Sequence, residues 1–152
     1  MKKEIYRKIK LSHLILLLFI IAIPLINFNH HRYNRNDGII IYDIKSYYAY
    51  LPAAFIYKDL SLDFMKKDPE KFNKLIWPVD TPTGKKAILT TMGQAVLYSP
   101  FFMISHIYAH LSNEYEPDGY SVPYHVGLQF SVYFYFIIAF LVLRKILLRY
   151  FN

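Results

Sequence analysis

A carboxylate, a lysine and three tyrosines fall within eight residues in the run Asp43-Ile44-Lys45-Ser46-Tyr47-Tyr48-Ala49-Tyr50. Asp43 is the strongest candidate for chemistry in the chain. Asp43, Tyr47, Tyr50 and Ala54 recur at i, i+4, i+7 and i+11, so a helix places all four on one face. With Asp43 at the start of that helix, the dipole favours its ionised form by a few tenths to about 1 kcal/mol. Pro52 limits this helix or starts its next turn. The alternative for Asp43 is an ordinary helix-start carboxylate at an interface.

Three other clusters bear on chemistry less strongly. His30-His31 lies in a basic, aromatic collar, NHHRYNRN, suited to anchoring at lipid headgroups, and adjacent histidines alone define no metal site. Gly84-Lys85-Lys86 has the end of a phosphate loop without the upstream glycine that the spacing requires, so it reads as a solvated turn with two lysines near anionic headgroups. His106-x-x-x-His110 carries Ile107 where a zinc protease has glutamate. Packing, headgroup contact or contact with an anionic substrate are the readings left for His106.

The elements that position these residues are apolar. Leu11 to Phe28 and Val126 to Leu143 are runs of 18 residues with few polar members. Each is roughly 27 Å long as a helix, close to the hydrocarbon thickness of a bilayer. The net charge of +7 divides unevenly: +4 in residues 1–10, +3 in residues 144–152, and ten basic against ten acidic residues between. The positive-inside rule then puts both termini in the cytoplasm and demands an even number of crossings. The third apolar segment, Met92 to Leu111, is interrupted by Ser99, Pro100, Ser105, His106 and His110. It is expected to be interfacial, re-entrant or buried against other protein, with a third crossing as the alternative. The start MKKEIYRKIK imitates a secretory signal, but the apolar run is long and no A-x-A-like site follows, so an uncleaved anchor is expected.

The fold class that follows is an all-α membrane protein. Two transmembrane helices, about 11–28 and 126–143, are joined by an outer loop, 29–125, carrying interfacial helices at about 43–56, 69–76 and 92–111. The whole reads as a single membrane domain. Asp37-Gly38 signals a turn before the first of these helices. Asp68-Pro69-Glu70 starts the second, with Asp68 as cap. Trp77-Pro78 and Thr81-Pro82-Thr83-Gly84 break the chain into turns. Thr91-Met92-Gly93-Gln94 fits a capping box for the third helix, which Pro100 should bend. Ser99, His106 and His110 share one side of it. Ser112 to Tyr124 is an acidic, turn-rich loop. With no cysteine, no disulfide supports the outer loop.

The order of parts resembles the amino-terminal end of multi-spanning glycosyltransferases of the C-type fold, the group of protein O-mannosyltransferases and the lipid A aminoarabinose transferase. The stretch DIKSYYAYLPA, residues 43–53, looks like their acidic motif after the first span. TTMGQAVLYSPFFMISHIYAH and DGYSVPY look like loop sequences of uncharacterised bacterial members. The resemblance implies transfer of a sugar from a polyprenyl-phosphate donor to an acceptor at the outer face of a bacterial inner membrane. Asp43 would be the general base, Tyr47 and Tyr48 would contact the sugar, and Lys45, Lys85 or Lys86 would face the lipid phosphate. It also implies further spans that complete the donor cavity, so this chain is expected to be the N-terminal part of a larger fold, inactive alone. Many members carry a second acidic residue beside the first. Here Asp43 is flanked by Tyr42 and Ile44, which departs from a paired-carboxylate or metal-assisted pattern: a divalent metal stays open without support from the sequence, and no other cofactor is indicated.

The alternative function is a small non-enzymatic membrane protein that packs on a larger membrane or envelope complex. Membrane lipid is the expected surrounding in either case. A nucleic-acid partner is disfavoured, because the basic excess is spent at the termini on membrane orientation.

Overall fold

The computed structural model describes residues 2–35 and 38–151, with the backbone alone for residues 2–10. Asp37, and with it the expected Asp37-Gly38 turn, lies outside the described residues. Among the described residues there are five α-helices: α1 (Lys2–Asn29), α2 (Asp43–Phe55), α3 (Pro69–Leu75), α4 (Gly93–Leu111) and α5 (Val122–Tyr150). A short hairpin, β1 (Pro78–Asp80) and β2 (Lys86–Ile88), stands between α3 and α4. The chain divides into two compact units, Met1–Arg32 with Val132–Asn152, and Tyr33–Ser131.

In the first unit α1 and the later part of α5 run antiparallel. Arg144 Nε donates to Ser12 Oγ at 3.2 Å, and farther along Phe19 meets Phe140 and Phe28 meets Tyr133, both at 6.2 Å between ring centroids. The Phe28 end of α1 and the Tyr133 end of α5 therefore lie at the same end of the pair. Leu11–Asn34 and Val122–Tyr150 are the two stretches among the described residues long and apolar enough to cross a membrane, and α4 is not one of them. Only 6% and 22% of the residues in their apolar windows are buried. A helix from the interior of a globular domain would bury most of that surface, because each exposed apolar side chain forfeits about 1.5–3 kcal/mol of burial. Leu14, Leu17, Leu18 and Leu25 of α1 are all exposed.

The second unit is built around α2. Ser46, Ala49 and Ala53, with Tyr48 and Pro52, recur at three- and four-residue spacing and are buried. That stripe packs on α4 and on β2. Pro52 sits inside the helix, which ends one turn later as the N–H groups of Ile56 and Tyr57 both reach the Pro52 carbonyl. Beyond it Asp59 accepts from the N–H groups of Ser61 and Phe64 and folds the chain into the 3-10 turn Asp63–Lys67. Tyr57 stacks on Phe64 at 4.2 Å, and Phe72 of α3 stands edge-on to both. Asp68 caps α3 as expected, accepting from the Lys71 N–H at 3.0 Å with Pro69 in the first turn.

Three local expectations are corrected. The capping box at Thr91 does not form: Met92 occupies the cap position without a side-chain bond, which leaves Thr91 one residue too early to cap. Residues 78–88 are not only turns, since Val79 pairs with Ala87 and Asp80 with Lys86 across the tight Thr81–Lys85 bend. The last helix begins at Val122 rather than Val126, taking Pro123 into its first turn, where a missing N–H costs nothing.

Pro100 is absorbed into α4 by its neighbour. Its ring nitrogen leaves the Val96 carbonyl without the usual donor, and Ser99 Oγ donates to that carbonyl at 2.7 Å. Where α4 meets the start of α5, a Cβ on Gly127 would collide with Ser105 Oγ and lie 3.0 Å from the Phe101 carbonyl. Only glycine lets the two helices approach this closely.

Candidate functional site

Asp43 is the first residue of α2, and its side chain is exposed while the opposite face of the helix is buried. Tyr42 before it is 71% exposed and holds φ 47°, ψ −135°, a conformation strained for a non-glycine residue. Tyr47 follows one turn along, half-buried, and Tyr50 another turn on, where its phenol donates to the Thr90 carbonyl. The Thr90 hydroxyl is buried beside this contact with no hydrogen-bond partner. A carboxylate thus opens a tyrosine-lined face on an anchored helix.

The other residues expected at the site are placed elsewhere. Lys45 Nζ donates to the Lys74 carbonyl at 2.6 Å and lies 5.4 Å from the centre of the Trp77 ring. Its cation ties α2 to the C-terminal end of α3, where the helix dipole favours it. Tyr48 is a core residue, 1% exposed, and its phenol donates to the Gly119 carbonyl at 2.6 Å. Burial, with Tyr120 and Tyr124 nearby, raises its pKa well above the ordinary tyrosine value. Tyr48 therefore supports the helix from behind and offers no face to a ligand. Helical spacing alone does not reveal which of two adjacent tyrosines turns inward.

Lys86 pairs with Asp80 across the hairpin at 3.5 Å, and Lys85 stands exposed at its tip. His106 stacks parallel on Phe102, meets His110 edge-on at 4.5 Å, and its Nδ1 lies 2.6 Å from the Tyr124 hydroxyl. Burial, then the neighbouring His110, lower its pKa below the usual histidine value. A neutral ring bonded to a phenol is poorly suited to hold an anion. Asp43 and Tyr47 are thus the members of the expected set that share one accessible face.

Two cavities in this unit were not foreseen. An apolar groove of about 670 Å³ lies between α4 and the start of α5, and a polar pocket of about 220 Å³ adjoins it through Tyr33, Tyr115 and Val122. The polar pocket is lined by Arg35, Glu114, Glu116, Tyr120 and His125 among others. Nothing in the local sequence brings these residues together, since they come from two stretches about 80 positions apart, 33–35 and 114–125. Among the described residues no three histidine, aspartate or glutamate side chains converge as a metal site. No family model, no curated protein and no solved structure matches this chain.

Proposed function

We propose that this chain forms the outer-face acceptor side of a membrane glycosyltransferase that uses a polyprenyl-phosphate sugar. The exposed Asp43 carboxylate, presented by a buried helix behind the strained Tyr42, carries this reading. Backbone strain persists where the surroundings over-determine it, and such positions cluster at functional sites. In this reading α1 and α5 cross a bacterial cytoplasmic membrane with both termini inside and residues 29–125 outside. Further spans complete the water-excluded donor cavity, since two helices enclose no such volume.

The chemistry asked of Asp43 is general-base catalysis. Its carboxylate takes the proton of an acceptor hydroxyl as that oxygen bonds to the anomeric carbon, and the bond from that carbon to the lipid phosphate breaks with its electron pair leaving on the phosphate. Tyr47 and the exposed Tyr42 flank the base, where a phenol can stack on or hydrogen-bond a sugar. The test is complementation of a strain lacking the gene. Asp43→Asn should lower transferred glycan by at least about 100-fold at unchanged protein level, with Asp43→Glu partly active. Unaltered glycan output from Asp43→Asn would overturn the assignment.

A second reading rests on α4, which exposes Val96, Leu97, Ile104, Ile107 and Leu111. That surface suits a non-enzymatic role, packing against a larger membrane or envelope complex. A photo-crosslinking residue at Ile107 separates the two: one discrete protein adduct favours the complex, and lipid adducts alone favour an interfacial helix.

A further inference from the structure

The groove between α4 and α5 is lined by Phe101, Ile104 and Tyr108 from one helix and Val122, Val126 and Phe130 from the other. Its volume of about 670 Å³ is in the range of cavities that bind organic ligands, and its wall is mostly apolar. At one end it opens into the polar pocket. There Tyr120 Oη and His125 Nδ1 have no hydrogen-bond partner, although the residues are only 8% and 6% exposed. Leaving such groups unsatisfied costs about 1–3 kcal/mol each, and a ligand oxygen reaching either of them from the pocket would remove that cost. Tyr120 can donate, and the His125 nitrogen can donate or accept according to its tautomer.

The charge around this pocket selects the head. Asp118 is already engaged: Oδ1 accepts from the Tyr120 and Ser121 N–H groups, and Oδ2 lies 3.4 Å from Lys71 Nζ. Glu114, Glu116 and Arg35 remain at the mouth, all exposed. Two carboxylates beside one guanidinium disfavour a purely anionic head and favour one that carries both signs. We infer that the paired cavities form a binding site for one amine-bearing zwitterionic phospholipid. An acyl chain lies in the groove, the phosphate oxygens meet Arg35, Tyr120 and His125, and the ammonium faces Glu114 and Glu116. The position suits a lipid, because α5 is one of the two helices among the described residues that are long and apolar enough to cross a membrane, and the groove runs along its first turns. No residue of α2 lines either cavity, so the site is separate from Asp43 and does not rest on the transferase reading.

The test is native mass spectrometry of the full chain released from nanodiscs of equal phosphatidylethanolamine and phosphatidylglycerol. One retained phosphatidylethanolamine is expected, enriched at least tenfold over phosphatidylglycerol. Ile104→Trp, at a position 66% exposed and therefore safe for folding, should fill the groove and cut retention at least tenfold. Glu114→Lys combined with Glu116→Lys, both at the exposed mouth, should reverse the preference toward phosphatidylglycerol. Equal retention in the Ile104→Trp chain, or no headgroup preference in the parent, overturns the proposal. Full displacement by an equimolar polyprenyl phosphate overturns the choice of head.

Discussion

Tyr48 and Gly119 lie 71 positions apart in the chain and are joined by a hydrogen bond of 2.6 Å from the buried phenol to the glycine carbonyl. The bond fastens α2, which carries Asp43, to the loop that leads into α5. Tyr48→Phe keeps the ring but strands that carbonyl, which should cost about 1–3 kcal/mol in denaturant unfolding of the detergent-solubilised protein. Tyr47→Phe, half-buried on the same helix, should change stability by less than about 0.5 kcal/mol. Equal effects from the two would mean that the Gly119 contact is not what secures the helix.

Gly119 has its own requirement. It holds φ 88°, and a Cβ there would lie 2.8 Å from Pro52 Cβ and 3.1 Å from Ile56 Cδ1. Gly119→Ala combines a left-handed alanine with a clash against rigid proline, and it should destabilise by about 2–4 kcal/mol. Gly84→Ala shares the positive φ, at 76°, but has open space around it, and should lose only about 1 kcal/mol. Thermal unfolding of the two variants side by side measures the clash alone.

The buried phenols predict an alkaline limit. Burial, then neighbouring tyrosines, hold Tyr48 and Tyr120 well above the usual tyrosine pKa, and burial with Asp118 pushes Tyr57 up to about 12. Below the unfolded value of about 10 both states are protonated and these residues add no pH dependence. Above it the unfolded chain ionises first, so the stability due to the protonated phenols is lost as pH rises from about 10 through the folded pKa values. Tyrosinate absorbance should rise in two stages, the second coinciding with loss of helical circular dichroism. All 15 tyrosines ionising together with the helices intact would contradict this.

Ser99 and Pro100 should behave as a coupled pair. Ser99→Ala should cost about 1 kcal/mol in the parent, because the Val96 carbonyl then has no donor, and close to nothing beside Pro100→Ala, whose restored N–H takes the same carbonyl. A double-mutant cycle returning no coupling energy would show that the serine does not replace the missing backbone donor.

The helical elements were legible because their signals are local. The apolar runs from Leu11 and Val126 and the Asp68-Pro69 start all appear in the structure, with the last helix four residues longer at its beginning than its composition suggests. Turn-forming residues in DGYSVPY hid that start, since proline in a first helical turn looks the same as proline in a loop. The strands of the hairpin are three residues each, too short for alternation to register. The candidate site was legible only in part. Asp43 at a helix start follows from sequence, but the inward turn of Tyr48 and the diversion of Lys45 to Lys74 depend on elements packed from 29 to 71 residues away. The polar pocket was invisible for the same reason, as Arg35, Glu114 and His125 share no local pattern.

Three tyrosines of one stretch act alike: Tyr48 donates to the Gly119 carbonyl, Tyr50 to the Thr90 carbonyl and Tyr57 to the Asp118 carbonyl. Each phenol grips main chain, which every amino acid supplies. The side chains at Thr90 and Asp118 are therefore not what the tyrosine reads, and these two positions can change without losing the moorings, whereas Gly119 is fixed by its positive φ and by Pro52. Substitution tolerance in the second unit should be lopsided, more permissive at Thr90 than at the Tyr48, Tyr50 and Tyr57 hydroxyls, with Gly119 as strict as they are. A chain organised this way can alter the side chains its loops present while the platform under Asp43 keeps its shape.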